Sequence, residues 1–161
     1  MSFAEAGFER AAVQKFAPFG LEIEFDLTHP LDEAGQRAFR NLFYREKPLV
    51  FRNQKLDEEA QIRVLGYLGR VLGARGEYRE ISSDGNLGAG PLCYHSDLSF
   101  TDEPFKVLSL YALEVLEGGS WTSFADGIAA LRALPEELRR KVEALDAVAG
   151  ISATQTHRAI A

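Results

Sequence analysis

The sequence predicts one α+β domain, mostly β, with helices flanking its sheet. Three observations carry that reading. Residues 19–27 alternate Phe19, Leu21, Ile23, Phe25 and Leu27 with Gly20, Glu22, Glu24 and Asp26, the period-two pattern of a strand with one wet face. Two later stretches place apolar residues at helical spacing, each behind an aspartate suited to cap a helix. Strand-like segments rich in β-branched and aromatic residues recur further on, and no internal repeat, low-complexity run or linker divides residues 1–161.

Taken in order, residues 1–15 are expected to form a short, frayed helix. The strand over 19–27 is broken by Thr28-His29-Pro30, and His29, placed before a proline, reads as a solvated loop residue. Asp32 caps a helix to about Glu46, with Ala34, Ala38, Phe39, Leu42 and Phe43 on one face. Pro48 ends it, and Pro48-Leu49-Val50-Phe51 reads as a short buried strand. Asp57 caps a second helix, with Ile62, Leu65, Leu68 and Leu72 as its stripe and Gly73 as its stop. The Asp57-Glu58-Glu59 run is charge suited to a helix N-terminus.

Residues 78–82 form a further candidate strand. Residues 83–90 hold three glycines with Asp84 and Asn86 and read as a loop. This loop leads into Leu92-Cys93-Tyr94-His95-Ser96-Asp97-Leu98-Ser99-Phe100. If that stretch is extended, His95 and Asp97 share a face and Ser96 takes the other. One imidazole and one carboxylate are two of the three groups of the facial triad that binds non-heme Fe(II) and leaves positions open for substrate and oxygen. Residues 106–116 read as a strand, Glu117-Gly118-Gly119 as a turn, and 121–125 as a short extended piece with Trp121 as a core or rim aromatic. A helix is expected over 126–133. Another begins at Pro135, with Glu136 and Glu137 in its first turn and Arg139, Arg140 and Lys141 later, a charge order that suits the helix dipole.

Composition narrows the function classes. The chain is 46% hydrophobic and 26% charged, ordinary for a soluble globular domain, and 161 residues can bury a real core. The net charge is -6, with no Lys/Arg block, so no nucleic-acid footprint is visible. No apolar run approaches membrane-spanning length, and the N-terminus lacks the basic start and apolar core of a signal peptide. Cys93 is the one cysteine, so a reducing, cytoplasmic setting is the default and the thiol reads as a small buried hydrophobe.

Several motifs in order resemble the taurine dioxygenase-like (TauD/TfdA) family of Fe(II)- and 2-oxoglutarate-dependent oxygenases. They are Pro48-Leu49-Val50-Phe51-Arg52 followed by Leu56-Asp57-Glu58-Glu59; Tyr94-His95-Ser96-Asp97 followed by Ser99-Phe100; Glu117-Gly118-Gly119; Thr122-Ser123-Phe124-Ala125-Asp126; Ala129-Ala130-Leu131; and Leu134-Pro135. The resemblance implies a double-stranded β-helix, a cupin-like jelly roll with helices outside. It implies His95 and Asp97 as the first two iron ligands and Thr122 as a residue that helps hold a carboxylate of 2-oxoglutarate, although one extra residue stands near Trp121. Asn86, Tyr94 and Phe100 are the candidates for contact with a small-molecule substrate. The reaction implied is hydroxylation of that substrate by O2, with 2-oxoglutarate decarboxylated to succinate and CO2. Asp97 favours hydroxylation, since halogenating relatives replace this carboxylate with a small residue.

The chain also departs from the family pattern. The family's third ligand, a second histidine, and the arginine that pairs with the far carboxylate of 2-oxoglutarate lie far downstream. Here His157 is the only histidine after Asp97, and it comes too early in the pattern. Thr156-His157-Arg158 does not supply both roles, because neighbours in an extended stretch face opposite ways. The expectation is therefore the N-terminal part of such an enzyme, incomplete at its C-terminal end. Such a part would be poorly soluble, would form a homo-oligomer, or would need a second polypeptide to complete the barrel. Two rivals are an inactive remnant that binds a ligand or partner, and a cupin-like binding protein or isomerase using another divalent metal.

Overall fold

Leu21 and Ile23 are fully buried at the centre of a three-stranded sheet, with the intervening Glu22 half-buried on the opposite face. The computed structural model describes residues 11–71, 94–97, 99, 101–102, 104–115, 117–118, 121–148 and 156–158. Contacts group the chain into two units, Met1–Gly85 and Asn86–Ala161.

In the first unit, β1 (Val13–Lys15) runs antiparallel to β2 (Leu21–Ile23), pairing Val13 with Ile23 and Lys15 with Leu21. β2 pairs in parallel with β3 (Leu49–Phe51), Leu21 opposite Leu49 and Ile23 opposite Phe51. A parallel pair needs a long crossover, and α1 (Glu33–Glu46) supplies it. The Asp32 carboxylate accepts from the Gly35 N–H at 2.7 Å and starts that helix. Asp57 likewise accepts from the Ala60 N–H at 2.8 Å and starts α2 (Glu58–Gly66).

Leu21, Ile23, Leu27, Phe39, Leu42 and Tyr67 form the core, with Val13, Phe25, Ala38, Leu49, Phe51 and Leu68 packed around it. Phe39 stacks on Phe51 at 5.9 Å between ring centroids and meets Tyr67 edge-on at 6.0 Å. Gly20 closes the approach to β2 with φ +97°. A Cβ there would lie 3.0 Å from Pro48 Cδ, so both conformation and space select glycine.

The irregular chain after β2 is fastened by side chains. The Leu27 N–H donates to Gln54 Oε1 at 2.9 Å, and Gln54 Nε2 donates to the Phe25 and Arg52 carbonyls. Arg63 Nη2 donates to the carbonyls of Leu27 and Thr28 at 3.1 and 2.7 Å. The Leu31 N–H donates to the Tyr67 hydroxyl at 3.0 Å. His29 is exposed in this loop, as its position before Pro30 predicts.

The expected helix over residues 1–15 is not what forms in its described part. Val13–Lys15 is strand, because pairing with β2 overrides a weak local preference, while residues 1–10 lie outside the described residues. On α1, Gly35 is buried and Ala34 exposed, which turns the expected stripe by one residue. The helix of α2 ends at Gly66, short of Gly73, and Tyr67 just beyond it turns into the core. The expected strand over 78–82 and the loop over 83–90 lie outside the described residues.

The second unit contains α3 (Gly127–Ala133), α4 (Glu136–Glu143) and an antiparallel ribbon of β4 (Asp146–Val148) and β5 (Thr156–Arg158). Asp126 caps α3 through the Ala129 N–H at 2.9 Å. Pro135 sits at the cap of α4, one residue outside the helix, and Glu136 and Glu137 open it as expected. Residues 106–115 do not form the regular strand expected over 106–116. Strand propensity reflects how a side chain fits a pleated surface and does not by itself supply a ladder. Trp121 is 86% exposed and so is not a core aromatic. Every buried apolar side chain among the described residues belongs to the first unit. No helix among the described residues is long and apolar enough to cross a membrane.

Candidate metal centre

The two donors that the sequence singles out meet in space. His95 Nε2 lies 3.1 Å from Asp97 Oδ1, with the side chains 55% and 39% exposed. The backbone that brings them together is not a regular strand. Tyr94 lies in a bend, Asp97 in a turn, and the Ser99 N–H donates to the Ser96 carbonyl at 3.3 Å. The expected extended stretch is therefore not what aligns them, and the two side chains meet across the bend and turn.

The donor set fits a divalent metal. At metal–ligand bonds of about 2.1 Å, two donors at right angles are about 3.0 Å apart. The separation of 3.1 Å is therefore compatible with two neighbouring corners of one coordination sphere. An imidazole nitrogen with a carboxylate oxygen suits Fe(II) and its first-row neighbours. The same distance also serves a hydrogen bond, in which the imidazole Nε2–H donates to the carboxylate. For metal binding that nitrogen must present its lone pair instead, which leaves the ring proton on Nδ1. Half-exposure of both side chains leaves an ion a route in from solvent.

Among the described residues no group of three His, Cys, Asp or Glu side chains is placed to hold a metal. His157 lies on β5, in register with Ala147 of β4. Thr122 is exposed in the irregular stretch that leads into α3. Tyr94, beside His95, is 71% exposed, so its ring stands in solvent next to the donor pair. Asn86, Phe100 and Cys93 lie outside the described residues.

Compared with protein-family models, the chain matches the one described as "Taurine catabolism dioxygenase TauD, TfdA family" over residues 12–159. No curated protein and no solved structure matches it.

Proposed function

The chain belongs to the TauD/TfdA family of dioxygenases, and from that premise we propose that it acts as an Fe(II)- and 2-oxoglutarate-dependent dioxygenase that hydroxylates a small organic substrate. Members of the family are typically 2-oxoglutarate-dependent dioxygenases that use Fe(II), and the family implies a cupin-like fold. The finer architecture we assign is a double-stranded β-helix with flanking helices, to which the whole chain contributes as one domain. One observation carries the functional reading: in a chain of this family, His95 Nε2 and Asp97 Oδ1 stand 3.1 Å apart on an accessible stretch.

The chemistry supplied at such a centre is decarboxylation of 2-oxoglutarate to succinate and CO2, coupled to insertion of the second oxygen atom of O2 into a substrate C–H bond. His95 and Asp97 would be two of its protein ligands. His95 would contribute a neutral nitrogen, and Asp97 an anionic oxygen that offsets part of the metal charge. Thr122 would donate its hydroxyl to a carboxylate of 2-oxoglutarate. Tyr94, Asn86 and Phe100 are the residues that would contact the substrate.

The test uses the whole chain. Succinate released from 2-oxoglutarate is measured with and without Fe(II), and binding of Mn(II) as a surrogate is followed separately by loss of the free-ion spin-resonance signal. Fe(II)-dependent succinate formation that disappears in His95→Ala supports the proposal. A chain that binds neither Mn(II) nor 2-oxoglutarate overturns it in favour of an inactive protein that binds some other ligand or partner.

A further inference from the structure

We draw no further inference here: the strongest candidate, the exposed apolar side chains that the second unit carries from Leu108 and Leu110 through Trp121 and Phe124 to Leu138 and Leu145, is an unpartnered apolar surface, and nothing in the structure shows what covers it.

Discussion

The contact between His95 and Asp97 is open to two chemical readings. As a hydrogen-bonded pair with both members partly exposed, they add little to stability. As metal ligands, each would supply a bond that water replaces poorly. Replacing His95 or Asp97 by alanine should therefore weaken Mn(II) binding by at least about tenfold while leaving the melting temperature of the metal-free chain nearly unchanged. Spin-resonance titration beside a thermal melt separates the two effects, and a large fall in stability with unchanged ion binding would give the pair to structure alone. A second residue-scale test concerns Asp26. The Thr28 hydroxyl donates to its carboxylate at 2.6 Å and the Thr28 N–H at 2.8 Å, and with His29 nearby these hold the Asp26 pKa below the usual value. A depressed carboxylate pKa contributes stability above the unfolded-state value, and that contribution is lost as the pH falls through the folded-state value. Thr28→Val removes the largest cause, so the carboxyl carbon signal of Asp26 should titrate at higher pH in the variant than in the parent.

Most of the elements in the first unit could be read in the residues themselves. Asp32 and Asp57 each announce a helix start because a short carboxylate at that position satisfies an otherwise unpartnered N–H, and both do so here. Alternation around Leu21 and Ile23 gives the central strand, although only Leu21–Ile23 is paired as strand. Pairing with a distant partner was not legible: nothing local in Val13-Gln14-Lys15 marks it as the neighbour of β2. Tyr67 was missed as a core residue because it follows the last turn of α2, where helical spacing no longer says which way a side chain faces. The His95–Asp97 pair was legible from a spacing of two, but a local pattern cannot identify donors that arrive from elsewhere in the chain. The approach of Gly20 to Pro48 offers an element-scale test. Gly20→Ala must adopt φ near +97° and press its Cβ against Pro48 Cδ, so it should cost at least about 1 kcal/mol of unfolding free energy. Chemical denaturation measures this, and a neutral result would mean that β2 and β3 separate at that end without penalty.

At the scale of the molecule, the two units differ in how they hold their apolar residues. The first encloses Leu21, Ile23, Leu27, Phe39 and Leu42 between sheet and helices. In the second, Leu113, Val115, Trp121, Ile128 and Leu145 are all more than half exposed. Local opening free energy follows burial and protected backbone hydrogen bonds. Limited proteolysis of the native chain should therefore cut within 104–115 and 121–126 well before it cuts within 21–67, with fragments located by mass spectrometry. Equal cleavage of both regions would mean that the second unit is as tightly closed as the first. The charge pairs along α4, such as Lys141 with Glu137 at 2.7 Å, are solvent-exposed and do not compensate for missing burial.

The bond from the Leu31 amide to the Tyr67 hydroxyl has a consequence for how the first unit comes apart. That amide lies in a loop, where protons ordinarily trade with water almost freely, yet it can do so only once its bond to the phenol just beyond α2 is broken. A single loop proton thus reports on a tyrosine thirty-six positions along the chain, and its deuterium uptake should quicken in Tyr67→Phe, which keeps the ring but removes the acceptor.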